Sequence, residues 1–303
     1  MNLIVGGTGS MGSALARRLL TEGKTVRIMT RSPQNATELK DLGAEVVQGD
    51  LLRSSSLVRA CDGVTSVVAS AHSVFGRGNE ASKNVDLQGH KDLIDAAVGA
   101  NVKQFVYLSA YDFGPQFESV PFFKIKRQVE RYLEASGLNY TILRPTFFME
   151  SYAWLMTGQP ILEEGKVTVY GKGENPRNMV AADDVAYFAA RAIEDPAMRG
   201  ATIDIGGLDN VTIMQIVQMY QQLARRQAKV SHVPLTMLKL MYPLLRPIHP
   251  GLSQIMQVSI YADTLDCTFD AGPLLASYSL EPTRLEDWVI ANVQGSPVEV
   301  ALA

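Results

Sequence analysis

Three glycines and a few charged side chains carry the chemistry open to this sequence. Gly6, Gly9 and Gly12 stand at equal spacing in Val5-Gly6-Gly7-Thr8-Gly9-Ser10-Met11-Gly12. Glycine at the first place allows a tight turn, and at the second it lets a phosphate approach the backbone. At the third it lets the next helix pack on the preceding strand. Backbone N–H groups of Thr8, Ser10 and Met11 would then hold a pyrophosphate at the positive end of that helix. Further on, Arg31-Ser32 follows an apolar run at 25–29. A ribose with a free 2′-hydroxyl usually meets an acidic residue at this point. A guanidinium suits a 2′-phosphate through charge-assisted hydrogen bonds, so NADP(H) is expected in preference to NAD(H). The alternative is a solvated surface arginine. Asp50, with Leu51 after it, can accept a hydrogen bond from an adenine amino group, or it can bond its own backbone in a turn.

The elements that position these residues are legible in the hydrophobic pattern. Apolar runs at 3–5, 25–29, 44–48, 64–69, 105–109 and 140–144 read as strands. Helical stretches at 38–42, 54–60, 84–100 and 122–136 fall between them, and one follows Gly12 as far as Gly23. This alternation predicts an α/β fold, a Rossmann-like doubly wound parallel sheet. Residues 1–150 form the expected NADP-binding domain, completed by 177–207. Residues 151–176 and 208–303 form a smaller, mostly helical substrate lobe. Ala69 ends the fourth strand and leads into a polar, glycine-bearing segment at 70–83, on the crevice side of such a sheet. His72 there either faces the nicotinamide and its substrate or stands as an exposed loop histidine.

Composition excludes several classes of function. The chain has 303 residues, 47% hydrophobic and 19% charged, with net charge −3, and shows no basic footprint for nucleic acid. Cys61 and Cys267 give neither a disulfide framework nor metal-ligand spacing, and the four histidines are scattered. No apolar run is long enough to span a bilayer. The chain opens directly in its first strand, which leaves no room for a signal peptide, so the cytoplasm is the expected location.

Gly6-Gly7-Thr8-Gly9, Gly49-Asp50-Leu51, Tyr107-Leu108-Ser109, Ser136-Gly137-Leu138 and Thr141-Ile142-Leu143-Arg144-Pro145 occur in the order typical of atypical short-chain reductases. The chain resembles their NmrA-like branch, which includes isoflavone-type reductases, triphenylmethane dye and quinone reductases, and NADP(H)-sensing regulators. Met179-Val180-Ala181-Ala182-Asp183-Asp184-Val185-Ala186 extends the resemblance. The resemblance implies that Ala69 and Ser109 line the cofactor. It also puts the Tyr-x-x-x-Lys motif at Phe122-Phe123-Lys124-Ile125-Lys126, so that Lys126 would orient the nicotinamide ribose. Phe122 stands where the tyrosine should, and a phenyl ring cannot move a proton. Tyr111 falls at the serine position and is the candidate proton donor. A solvated helix face is the alternative for Lys126.

Phe147, Phe148 and Trp154 supply apolar surface for a substrate wall, with a core role as the alternative. Asp184, near a helix start, reads as a cap or structural acid. The leucine- and methionine-rich segment at 233–256 reads as an adaptable lid over an apolar substrate. A membrane or a second subunit is the other reading, disfavoured because only Lys239 and Arg246 are basic between 233 and 247. Gly295 onward reads as a loose tail. The expected function is an NADPH-dependent reductase of a small, largely apolar electrophile of the quinone, dye or enone class, with a second copy of the chain as candidate protein partner. The rival is a catalytically silent NADP(H) sensor or assembly protein acting through a protein partner. A sugar-nucleotide epimerase is disfavoured, since the missing tyrosine removes its proton chemistry.

Overall fold

The computed structural model describes residues 1–74 and 76–294. In chain order the strands are β1 (Asn2–Val5), β2 (Val26–Thr30), β3 (Glu45–Gln48), β4 (Ser66–Ala69), β5 (Gln104–Leu108), β6 (Tyr140–Pro145), β7 (Phe147–Phe148), β8 (Lys166–Tyr170), β9 (Arg177–Val180), β10 (Ala201–Ile205), β11 (Asp209–Val211) and β12 (Lys229–Val233). The helices are α1 (Ser10–Thr21), α2 (Thr37–Asp41), α3 (Ser54–Cys61), α4 (His90–Gly99), α5 (Pro121–Glu134), α6 (Gln159–Glu164), α7 (Ala182–Glu194), α8 (Ile213–Leu223), α9 (Leu235–Leu245), α10 (Pro250–Ala262), α11 (Gly272–Ser277) and α12 (Leu285–Gln294). The tail expected from Gly295 lies outside the described residues.

The chain divides into two units. Unit 1 comprises Met1–Tyr111, Pro121–Pro145 and Val185–Asp204. It holds a seven-stranded sheet in the order β10-β6-β5-β4-β1-β2-β3, parallel from β3 through β6. The order reverses at β1, which pairs with β2 on one side and β4 on the other. Crevices at such reversals, beyond the carboxyl ends of the strands, are where ligands sit in doubly wound sheets. β1 and β4 are buried on both faces, as their continuous apolar runs require. Leu3, Ile4, Val67 and Val68 are 0% exposed, and each contributes about 1.5–3 kcal/mol of hydrophobic stabilisation.

The helix expected over 84–100 is not a single α-helix. Lys83–Gly89 is π-helical and α4 begins only at His90. Two contacts accompany the widened turn. Asp86 is turned inward, where it accepts from the Ser73 N–H at 2.7 Å and from the Ser82 hydroxyl. Gly89 lies so close to Leu51 that an added Cβ would come within 2.8 Å of the leucine Cβ.

Unit 2 comprises Asp112–Val120, Thr146–Asp184 and the described residues from 205 to 294. It contains the small sheet β11-β9-β7 and the parallel pair β12-β8. Asp184 accepts from the Thr283 N–H at 3.0 Å and the Thr283 hydroxyl at 2.9 Å, which makes it a structural acid. Glu150–Gly158 is a second π-helical stretch. Among the described residues no helix is long and apolar enough to cross a membrane, and no group of histidine, cysteine or carboxylate side chains is placed to hold a metal ion.

Candidate functional site

The glycine turn is built for close approach. Gly6 has φ +95°, and a Cβ there would lie 2.6 Å from the Ala71 nitrogen. Gly12 is equally constrained, because a Cβ would meet the Gly6 carbonyl oxygen at 2.2 Å. Gly9 differs: its Cβ position meets only that oxygen, at 3.5 Å, so the outer side is open. Gly9 is the residue before α1, and no side chain caps the helix. The first-turn N–H groups of Ser10, Met11 and Gly12 therefore have no intrahelical acceptor and point out of the helix start. An uncapped positive helix end behind an open glycine fits a diphosphate. Thr8 and Ser10 are exposed, whereas the Met11 side chain is buried, so only its backbone faces this end.

A cleft runs from this turn along the ends of β2, β3 and β4. Gly6, Thr8 and Gly9 form one wall, Thr30, Arg31, Ser32 and Asn35 a second, and Asp50, Leu51, Val85 and Ser70 to Ser73 the rest. The sequence therefore brings Gly6, Thr8, Gly9, Arg31, Asp50, Leu51 and His72 together. Arg31 is exposed and its Nη1 donates to Glu80 Oε1 at 3.0 Å. Asp50 makes the turn bond that its residue type predicts, since Oδ1 accepts from the Leu52 N–H at 3.0 Å. Ala69 is fully buried inside β4, and Ser70 and Ala71 line the cleft in its place.

Behind the cleft lies a buried polar cluster. Lys126 is 3% exposed and donates from Nζ to the Leu108 carbonyl oxygen at 2.7 Å. Its ammonium lies 4.9 Å from the Tyr107 ring centre and 5.6 Å from that of Phe122. Burial pushes its pKa down to about 8, against the opposing charges of Asp86 and Glu130. It does not stand on a solvated helix face. His90 is completely buried and held neutral, with its pKa pushed down to about 3 by burial and then by the Lys126 charge. Its ring meets Tyr107 edge-on at 5.5 Å. His72 is exposed and lines the cleft. Desolvation first, and then Lys126, lower its pKa, with Asp86 acting the other way. The Tyr107 hydroxyl and His90 Nε2 are buried without a hydrogen-bond partner among the described residues.

Ser109 does not reach the cleft. Its hydroxyl donates to Glu130, which also takes Arg127 and, at 3.0 Å, the Nε of Arg144. A buried carboxylate needs that much compensation, and the serine hydroxyl is drawn into it. Tyr111 is half-buried and fixed through its N–H to the Pro145 carbonyl at 2.9 Å. Phe122 is half-buried beside Phe123. The remaining expected substrate residues lie in unit 2. There Phe147 is buried, stacked on Phe113 at 5.0 Å and edge-on to Tyr152 at 4.8 Å, as a core ring would be. Phe148 and Trp154 are half-buried, with Trp154 next to Tyr220.

Asp86, His90, Tyr107 and the Arg127–Glu130–Arg144 set escaped sequence reading. Asp86 sits mid-helix by periodicity, and only the π-helical turn directs it inward.

The sequence matches the NmrA-like family over residues 2–288. It is 31% identical over 298 residues to the photosystem II assembly factor Ycf39 of Trieres chinensis, covering 95% of this chain and 91% of that one. Among solved structures, the NADPH-dependent quinone oxidoreductase of Escherichia coli in complex with NADPH superposes with TM-score 0.76 at 22% identity, covering 97% of this chain and 100% of that one. The triphenylmethane reductase of a Citrobacter species gives TM-score 0.75 at 19% identity, covering 97% and 99%. The superpositions show the same fold, and the family match spans both units: the chain belongs to the NmrA-like family.

Proposed function

We propose that this chain binds NADP(H) in the unit 1 cleft and is a reductase of a small, largely apolar electrophile that accepts hydride without a side-chain acid. The uncapped start of α1 holds the pyrophosphate, with Gly6 and Gly12 allowing the close turn. Arg31 exchanges Glu80 for the ribose 2′-phosphate, assisted by Ser32. Asp50 and Leu51 border the adenine. When bound, NADPH supplies a hydride from its nicotinamide ring.

One observation carries the choice of substrate class: the ring beside Lys126 is Phe122, which has no hydroxyl. Reduction of a ketone to an alcohol needs a proton delivered in step with the hydride. A cationic dye becomes neutral on gaining hydride, and a reduced quinone draws its proton from water. The likeness to a quinone oxidoreductase and a triphenylmethane reductase supports this reading. Lys126 tunes the site as a buried cation, and Tyr111 is a candidate donor. The test is to confirm NADPH binding by fluorescence titration and then follow NADPH absorbance with quinones, triphenylmethane dyes, enones and ketones. Turnover confined to the acid-independent acceptors is expected.

A second reading has specific support. The match to a photosystem II assembly factor covers nearly the whole chain, and Lys126 already has an acceptor in Leu108. On that reading the cofactor is bound but not oxidised, and the chain acts through a protein partner. Tight NADPH binding with no oxidation by any acceptor decides for it.

A further inference from the structure

Asp86 is 1% exposed, and the two groups bonded to its carboxylate are both uncharged. One oxygen accepts from the Ser73 N–H at 2.7 Å and the other from the Ser82 hydroxyl. An asparagine side chain could satisfy the same two groups, so hydrogen bonding alone does not call for a charge here. Burying an ionised carboxylate is costly unless something compensates it. Among the described residues Asp86 makes no direct ion pair.

Lys126 is the cation that answers it. The groups around its ammonium are His72 from the turn after β4, Asp86 and His90 from the stretch leading into α4, Tyr107 from β5, and Arg127 and Glu130 from α5. Two of these are carboxylates. Glu130 is already taken: the Ser109 hydroxyl and the guanidinium groups of Arg127 and Arg144 all donate to it, so two positive charges stand against one. His90 is neutral. That leaves Asp86 as the carboxylate unclaimed by an arginine, acting on Lys126 through a medium in which charges reach further than in water.

The same carboxylate reaches the cleft. Ser73 belongs to the cleft wall, and its hydroxyl donates to the Glu80 carbonyl oxygen at 2.7 Å. Glu80 in turn holds Arg31 at 3.0 Å. We propose that Asp86 is a positioning residue of the cofactor site, which fixes the Ser73 wall and is the countercharge of the buried Lys126. The assignment rests on the reading of the unit 1 cleft as the NADP(H) site.

The experiment follows the lysine Cε signals of the full chain by carbon-13 NMR, with Lys126→Met to identify the Lys126 signal, and titrates NADPH by fluorescence. Asp86→Asn keeps the shape and both hydrogen bonds and drops the charge. Lys126 should then titrate at least about one pH unit below its wild-type midpoint. Asp86→Ala also releases the Ser73 N–H and should weaken NADPH binding about tenfold or more, the scale of a hydrogen bond to a charged group. If Asp86→Asn fails to fold, Lys126→Met should rescue it, because the double variant no longer buries an unbalanced cation. Three results overturn the proposal: an unmoved Lys126 titration in Asp86→Asn, NADPH binding by Asp86→Ala equal to that of the wild type, or a double variant that stays unfolded where Lys126→Met alone folds. A wild type that binds no NADPH overturns the cofactor reading and the role of Ser73 with it, and the lysine titration then decides the countercharge separately.

Discussion

The Lys126 ammonium donates to the Leu108 carbonyl oxygen at 2.7 Å, which ties this buried lysine of α5 to the end of β5. The rings of Tyr107 and Phe122 lie within 4.9 and 5.6 Å of the same nitrogen. The lysine is therefore a buried cation held by one carbonyl and two aromatic faces. The Phe122 ring beside it carries no hydroxyl.

Burial of Lys126 has a pH signature. Its pKa is about 8 in the folded chain, against an ordinary 10.5. Between those values the unfolded chain binds the extra proton, so this residue makes stability rise with pH across that window. Lys126→Met removes the contribution. Urea midpoints of the two proteins should diverge in favour of the wild type on going from pH 8 to 10.5, by at most about 3 kcal/mol. A constant difference would show that the lysine is not desolvated.

Phe122→Tyr places a hydroxyl-bearing ring beside Lys126 and should restore acid-dependent chemistry. NADPH oxidation by a ketone is expected to rise at least about tenfold, a fraction of what a well-placed general acid supplies, while oxidation by a triphenylmethane dye stays unchanged. Tyr111→Phe tests the other candidate donor. Loss of turnover assigns it the proton, and full activity removes it from the mechanism.

Glu80 holds Arg31 in an ion pair at 3.0 Å, where the cofactor's 2′-phosphate would compete with it. Arg31→Ala should weaken NADPH binding about tenfold or more, the scale of a charge-assisted hydrogen bond, and leave NADH binding alone. Glu80→Ala removes the competing carboxylate and should tighten NADPH binding modestly, since the pair is exposed. Titrations with both coenzymes check the pair of variants. Equal losses for NADH and NADPH in Arg31→Ala would remove the arginine from phosphate recognition.

Gly12→Ala puts a methyl group 2.2 Å from the Gly6 carbonyl oxygen. Backbone must move to accept it, so both thermal stability and NADPH binding should fall, the latter beyond measurement. Unchanged binding would show that the turn is not the pyrophosphate cradle.

The unit 1 sheet was legible because its strands are short apolar runs punctuated by glycine, a pattern that a parallel buried sheet enforces. Gly6, Arg31, Asp50 and His72 converge because each follows a strand that ends at the same edge. The rest depended on long-range packing. Nothing in the local sequence says that Glu130 recruits Ser109 and Arg144, since those residues come from three different elements. Likewise, Phe147 looks like wall material in sequence, and only its stacking on Phe113 shows it as core. The π-helical turn that directs Asp86 inward has the same periodicity signal as an ordinary helix.

The most direct measurement is hydride transfer itself: NADPH deuterated at the nicotinamide C4 is mixed with this protein and a triphenylmethane dye, and the leuco product is examined by mass spectrometry. One deuterium is expected at the central carbon of the product, at a rate independent of Phe122→Tyr. Tight NADPH binding with no labelled product from any dye or quinone would contradict it and leave the chain a cofactor-binding partner protein.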